Sequence, residues 1–420
     1  MSGQRLSDAQ RLDWLQLIRC GNIGPRTFRM LLNKFGGAGA ALAALPGLIS
    51  KGEGAAVIKL ATRAEVESEV EASAALGIIF VALGEPDYPL ALAEIDTSPP
   101  VIAVRGPLAI LQRRCIALVG SRNASAAGLA FTARLAREFG RDGFAVVSGL
   151  ARGIDAGAHQ AALVTGTIAV LAGGHARIYP SDHEPLCDEI IAAGGVVISE
   201  MPLNWEPRGR DFPRRNRIVS GLSQAVVVVE AARRSGSLIT AKFALEQGRE
   251  VFAVPGSPLD PRAEGTNDLL RQGAGLCTRA QDVTDALGAA QRSSRPDPGL
   301  FGEGGTDTQE PLWDEADPFG TSVLDIPAFE TGFELDEPER AAPGNPGVVR
   351  TTPGRLAGMG GPVQGAASVE ALLGPSPVSL DDLVRACGRP AREVMREVFE
   401  LELAGKILRQ GNGLITLISA

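Results

Sequence analysis

From residue 115 to residue 256 the chain repeats one design: a short aliphatic or β-branched run, a few small or cationic residues, then a stretch at helical spacing. The runs fall at 115–119, 144–147, 167–171, 196–199, 225–229 and 251–254. Helical patterns over 127–141, 155–164, 185–193 and 238–247 fill gaps between them. Continuous apolar strands alternating with amphipathic helices form a parallel sheet covered on both faces, and few other folds accept the pattern. The expectation is a Rossmann-like α/β core. In such a sheet the strand-to-helix junctions gather at the carboxyl ends of the strands, where ligands bind.

Four of these junctions carry the candidate chemistry. They read Gly120-Ser121-Arg122, Ser148-Gly149-Leu150-Ala151-Arg152, Phe212-Pro213-Arg214-Arg215-Asn216-Arg217 and Ser235-Gly236-Ser237, with Lys242 on the helix after the last. Small residues permit close backbone approach, helix N-termini offer N–H groups, and arginines bring charge. Together they ask for an anion, and phosphate suits them best. A row of arginines across several strand ends fits successive phosphates of a polymer better than one small ligand. Some arginines are expected to pair with Asp155, Glu200 or Glu230, Arg217 foremost. Phe212 and Tyr179, in loops at related levels, are candidate platforms for stacked bases. Inward packing is the alternative for each.

Other uses of such a sheet fit poorly. The first turn, Gly120-Ser121-Arg122-Asn123-Ala124-Ser125, lacks the Gly-x-Gly-x-x-Gly of dinucleotide binding, and the second strand ends without the acid that would hold a ribose. Lys242 sits inside a helix, outside any Gly-x-x-x-x-Gly-Lys phosphate cradle. His159, four residues after Asp155, is a candidate base, although a structural histidine is the commoner use. The competing function is a nucleotide-processing hydrolase. For it, Ala231-Ala232-Arg233-Arg234-Ser235-Gly236-Ser237 would stand where related sheets carry a Pro-Gly-Gly-x-Gly-Thr turn, with Glu246 as a weak base. No metal-ligand cluster is legible, and no cofactor is expected.

At 420 residues the chain is too long for one hydrophobic core. Residues 1–75 read as a helical unit of SAM or helix-hairpin-helix type. Its turn, Cys20-Gly21-Asn22-Ile23-Gly24-Pro25-Arg26, has the form whose amides can face a nucleic-acid phosphate, but such turns more often only connect helices. A second, weaker turn of this kind falls at Pro46-Gly47. Residues 76–288 comprise a proline-punctuated connector with strand character, placed at the sheet edge, and the core. Residues 289–365 are rich in Gly, Pro, Ser and acids and read as a disordered linker. Residues 366–420 read as three helices and a hairpin turning at 411–413, a winged helix. Its third helix carries Glu393, Glu397, Glu400 and Glu402, which disfavour a phosphate backbone unless they face away.

Hydrophobic content of 45% and charged content of 21% describe a soluble globular chain. No apolar run approaches the ~20 residues of a membrane helix, and the first residues carry no signal-peptide apolar region. The five scattered cysteines, none in a Cys-x-x-Cys pair, read as reduced thiols of a cytoplasmic protein. A formal net charge of −8 argues against a whole-surface nucleic-acid binder while leaving room for one basic groove.

With these residues in view, the core resembles the DNA-processing protein A family (DprA, also called Smf). The resemblance rests on Ser148-Gly-Leu-Ala-Arg-Gly-Ile-Asp155, on Phe212-Pro-Arg-Arg-Asn-Arg-Ile-Val-Ser-Gly-Leu-Ser223, and on Val228-Val-Glu-Ala231 with Ser235-Gly-Ser-Leu-Ile-Thr-Ala241. Val254-Pro-Gly256, Gly265-Thr-Asn-Asp-Leu-Leu270 and Gly273-Ala274 extend it. It implies a cytoplasmic, non-enzymatic protein that binds single-stranded DNA through the core's basic pocket. It also implies a homodimer through that core, and contact with the recombinase RecA, which such proteins load onto DNA entering during natural transformation. Arg122, Arg152 and Arg214 to Arg217 would be the DNA contacts, and the Ser148 and Ser235 turns would give backbone donors. One segment departs from the pattern. Ala172-Gly-Gly-His-Ala176 stands where the family usually has Gly-x-Gly, an apolar residue and Asp.

Overall fold

The computed structural model describes residues 5–51, 59–293, 368–373, 378–403, 406–409 and 414–417. The N-terminal unit contains α1 (Asp8–Arg19), α2 (Pro25–Phe35), α3 (Ala38–Lys51) and α4 (Arg63–Ala75). Capping boxes start two of them, Ser7 with Gln10 on α1 and Thr62 with Glu65 on α4. Trp14 and Phe28, both fully buried, meet edge to face at 5.0 Å and form the centre of its core. The turn expected at Pro46-Gly47 is corrected, for Pro46 lies inside α3. The proline removes one backbone bond there, but helix-forming residues continue on both sides.

The core alternates as its sequence does. Its connector supplies β1 (Ile78–Ala82), the short α5 (Leu90–Ala93) and β2 (Val101–Arg105). There follow β3 (Cys115–Val119), α6 (Ala126–Arg141), β4 (Ala145–Ser148), α7 (Ile154–Ala162) and β5 (Thr167–Val170). Next come α8 (Glu184–Ala192), β6 (Val196–Ser199), α9 (Asp211–Gly221), β7 (Ala225–Val228), α10 (Gly236–Glu246) and β8 (Glu250–Ala253). The core closes with α11 (Glu264–Arg271), β9 (Gly275–Leu276) and α12 (Ala280–Ser293).

Among the described residues the sheet has nine strands in the order β1-β2-β6-β5-β4-β3-β7-β8-β9. From β6 to β9 every neighbouring pair is parallel, whereas β1 and β2 add to the β6 edge antiparallel. The connector is thus hydrogen-bonded into the sheet, and does more than lie beside it. Strand β3 shows why its sequence is apolar throughout. Ala117 and Val119 enter one core cluster, Ile116 and Leu118 the other, so both faces are covered. The order in which successive strands are added reverses between β3 and β7, which is the switch point of a doubly wound sheet.

Helix α12 carries the core past residue 289, where the linker was expected to begin, because Leu287, Ala289 and Ala290 continue a helical run. Residues 294–365 of that expected linker lie outside the described residues.

The C-terminal unit contains α13 (Val369–Leu372), β10 (Val378–Ser379), α14 (Leu380–Cys387), α15 (Ala391–Leu403), β11 (Ile407–Arg409) and β12 (Leu414–Leu417). Ser379 caps α14, Gly388 closes it, and the strands pair antiparallel in the order β10-β12-β11. This is a winged helix; the hairpin's tip at 411–413 lies outside the described residues. On α15, Glu393 and Glu397 are held by Arg389, and Glu400 by Arg396. The unit sits on the core: Ala126 of α6 joins its apolar cluster, and Arg262 donates to the carbonyl of Leu373 at 3.0 Å. No helix among the described residues is long and apolar enough to cross a membrane.

Candidate nucleic-acid interface

The turn after β4 is built around one buried acid. Asp155, in the first turn of α7, accepts the N–H of Gly149 at 3.1 Å and of Ala151 at 3.3 Å. Those bonds hold Leu150 in the left-handed region, φ +57°, with its side chain fully buried. Gly153 follows at φ +72°, and any Cβ there would lie 2.2 Å from the carbonyl oxygen of Ser121. The same carbonyl accepts the N–H of Ile154 at 3.1 Å. The Gly120-Ser121-Arg122 loop and the Ser148-to-Arg152 turn are therefore locked to one another.

Arg215 extends from α9 into the ground between them. Its Nη1 donates to the carbonyls of Gly149 and Val170, and its Nε donates to Asn216 Oδ1 at 3.1 Å. Burial lowers its pKa to about 10, with Arg122 adding to the fall and Asp155 opposing it, so the guanidinium stays charged at neutral pH. Burial raises the carboxyl of Asp155, against the lowering influence of Arg215 and the turn's amides.

Over this floor lies a small cavity, about 50 Å³, lined by Arg122, Gly149, Ala151, Arg152, Tyr179, Pro180, Phe212 and Arg215. That holds a few water-sized groups, a phosphate but not a whole nucleotide. Arg122 has no carboxylate partner among the described residues, and its guanidinium stands 5.4 Å from the centre of the Phe212 ring. Tyr179, 44% exposed, meets Phe212 edge to face at 5.3 Å. Arg152 reaches Asp182 at 3.1 Å, with both side chains well exposed, 64% and 73%. The arrangement offers three cations beside two aromatic rings in edge contact. Of the three, Arg152 pairs with a carboxylate, Arg215 is held by carbonyls, and Arg122 has no carboxylate partner among the described residues.

The structure moves several expected contacts away from the surface. Ser148 is fully buried and its hydroxyl donates to the Leu118 carbonyl at 2.6 Å. The Gly149 and Ala151 amides of its turn, expected as donors to a ligand, are taken by Asp155. Arg217 is 6% exposed, its Nη1 donating to the Thr97 carbonyl and its Nη2 paired with Glu200. As expected, it holds structure, and it is corrected as a surface contact. Arg214 shares Glu200 at 3.0 Å while remaining 42% exposed. Glu230 pairs with no arginine among the described residues; its carboxylate accepts the N–H and hydroxyl of Ser125, the N-cap of α6.

The fourth junction lies beside the cavity and is not part of its lining. Ser235 caps α10, its hydroxyl 2.7 Å from that of Ser237, which is itself buried. Gly236 is exposed, and Asn216 ties α9 to it through the Gly236 carbonyl at 3.2 Å. Lys242 is exposed one turn on, 3.8 Å from Glu246. Gly120 packs beneath the first loop, where a Cβ would meet Ile154 at 2.7 Å and the Glu230 carbonyl at 2.9 Å. Ser121 accepts the Asn123 N–H at 3.1 Å.

The residues of the hydrolase reading are separated. His159 is fully buried, and its Nδ1 donates to Thr167 Oγ1 at 2.7 Å, since that hydroxyl itself donates to the Val146 carbonyl. Burial, with His183 and Arg215, lowers its pKa to about 3. Glu246 is exposed on α10. The unusual 172–176 loop is held by main-chain bonds, Gly174 N–H to the Trp205 carbonyl at 2.9 Å and Ala176 N–H to that of Leu203 at 3.0 Å. His175 Nε2 donates to the Ala103 carbonyl at 3.0 Å. Sequence reasoning missed the roles of Asp155 and Asp182 here. An acid four residues after the turn's last small residue is a signal only in retrospect, and Asp182 meets Arg152 through tertiary folding alone.

Comparison with known proteins matches three successive parts of the chain. The family model described as DNA recombination-mediator protein A matches residues 79–288. A DprA-like N-terminal HHH domain matches 8–72, and a DprA winged helix domain 363–413. DNA processing protein DprA of Bacillus subtilis (strain 168) is 44% identical over 214 residues, 50% of this chain and 72% of that protein. Protein Smf of Escherichia coli (strain K12) is 36% identical over 332 residues, 79% and 75% of the two chains. The X-ray structure of DNA processing protein A from Streptococcus pneumoniae matches with TM-score 0.51 and 29% identity, covering 67% of this chain and 98% of that one.

Proposed function

This chain belongs to the DNA recombination-mediator protein A family, the DprA or Smf proteins, and from that premise we propose that it binds single-stranded DNA in the arginine cleft. Its task is to hold strands entering the cytoplasm during natural transformation and to deliver them to RecA. It works as a homodimer through the Rossmann-like core and performs no catalysis of its own.

One observation carries the reading: Arg122, free of any carboxylate among the described residues, stands over Phe212, whose ring meets Tyr179. A cation and two rings at one edge match a phosphate followed by a base, and stacking accepts any base. Duplex DNA offers no unstacked base to such a pair. With a net charge of −8, attraction for phosphate has to come from a local basic patch such as this one.

The test is binding of a fluorescent oligothymidine across salt, comparing wild type with Arg122→Ala. For single strands each lost phosphate contact lowers the log–log slope by about 0.7. Unchanged affinity and slope in a folded Arg122→Ala protein would refute the cleft as the DNA site. The RecA step and the dimer are separate parts of the proposal and have their own tests. These are RecA filament assembly on protein-coated single strands, with and without this protein, and light scattering of the purified chain.

A further inference from the structure

A buried charge cluster joins the N-terminal unit to the helix that carries Phe212 and Arg215 of the cleft. Arg19, in the last turn of α1, makes a forked pair with Glu69 of α4, Nε to Oε2 at 3.0 Å and Nη2 to Oε1 at 2.9 Å. The two side chains are 10% and 13% exposed. Their remaining capacity goes across the boundary to the core. Arg19 Nη1 donates to the main-chain carbonyl of Glu200 at 3.1 Å, and Glu69 Oε1 accepts the Leu203 N–H at 3.1 Å. Thus α1 and α4 grip residues 200–203 by the backbone. On the other side the Glu200 carboxylate, 6% exposed, takes Arg214 Nε at 3.0 Å and Arg217 Nη2.

Helix geometry makes that grip consequential. Arg214 and Arg217 are three residues apart and share one face of α9. Phe212 and Arg215, also three apart, share the neighbouring face, which forms part of the cleft lining. Fixing the first pair fixes the rotation of the second. A forked arginine–carboxylate pair is also stiffer than a single-point contact.

We propose that Arg19 and Glu69 are positioning residues for the cleft, holding Glu200 and through it the rotation of α9 that presents Phe212 and Arg215. The inference rests on the single-stranded DNA reading above. It assigns to the N-terminal unit a role in DNA binding that requires no contact with DNA. The hairpin turn of that unit is consistent with this, because the Gly21 N–H is taken by the Lys59 carbonyl at 2.8 Å.

The experiment uses the full chain and oligothymidine across salt. The variants are Arg122→Ala, the double variant Arg19→Met with Glu69→Leu, and Arg11→Ala. The double variant removes both charges together and leaves no buried ion unpaired. Arg11→Ala breaks the Arg11–Glu85 pair, a separate tie between the N-terminal unit and the connector. The expected result for the double variant is a loss of affinity of roughly threefold to thirtyfold, the range of such couplings. Its salt slope should equal that of wild type, because no phosphate contact is removed. Arg122→Ala should lose both affinity and slope, and Arg11→Ala neither. Wild-type affinity in the folded double variant overturns the proposal. So does a reduced slope, or an equal loss in Arg11→Ala. If the double variant does not fold, Arg19→Lys keeps the charge without the fork, and wild-type binding by it overturns the proposal equally. Failure of wild type to bind oligothymidine would instead sink the DNA reading itself.

Discussion

The guanidinium of Arg215 lies against Gly149 so closely that a Cβ at residue 149 would sit 2.5 Å from its central carbon. A glycine at this turn is therefore space kept for a cation. Gly149→Ala should push Arg215 off the Gly149 and Val170 carbonyls, with overpacking costing about 1–3 kcal/mol. Urea melts should show the loss of stability, and oligothymidine titration a parallel loss of affinity. Unaltered melts and binding would mean that the cleft floor is softer than its geometry indicates.

Arg152 and Asp182 form an exposed pair, and exposed pairs contribute about 0–1 kcal/mol. Asp182→Asn should then leave the melting temperature nearly unchanged while freeing Arg152 for phosphate. Oligothymidine affinity should rise. A fall in affinity would show that Asp182 orients Arg152 instead of competing for it.

Phe212 and Tyr179 present rings and no charge, so their removal should be distinguishable from that of an arginine. Phe212→Ala should weaken oligothymidine binding by about 1–3 kcal/mol, the usual worth of one stacked base, at unchanged salt slope. Phe212→Trp should restore most of it. A slope that falls in Phe212→Ala would show that the ring serves only to hold Arg122.

His159 and His175 are both buried, and burial is the leading cause that lowers their pKa values from 6.5 to about 3 and about 4. Between those values and 6.5 the unfolded chain binds protons that the folded chain does not. The two histidines are therefore neutral in the fold, and their contribution is full above 6.5 and is lost as pH falls. The loss is about 1.4 kcal/mol per pH unit for each. Urea midpoints should drop as pH falls from about 6.5 to about 5, and less steeply in a folded His159→Asn, His175→Asn variant. Equal slopes would assign the acid sensitivity elsewhere.

Much of the fold could be read from the chain because its strands are apolar on both faces and its helices are periodic. The six core strands from β3 to β8 fall within a residue of their expected places. The cleft was legible as composition but not as geometry. Arg214, Arg215, Asn216 and Arg217 are adjacent in sequence, yet one turn of helix sends them to Glu200, to two carbonyls, to Gly236 and again to Glu200. Helix α9 is buried around most of its circumference, so no polar stripe announces which arginine faces out. Pro46 misled in the opposite sense. It reads as punctuation, and only the surrounding helix residues and packing decide that α3 continues through it.

The contact of Glu230 with Ser125 has a consequence for what the molecule can sense. The amino end of α6 stands at the switch point, where doubly wound sheets hold the phosphate of a diffusible nucleotide. Here that end is occupied by a carboxylate tethered to the same chain, present at an effective concentration that no solute matches. Its occupancy is the same whether the cell is rich or poor in nucleotides. Millimolar ADP should accordingly leave the melting temperature of the wild-type protein where it was. A protein so arranged has no gauge of energy supply at this position.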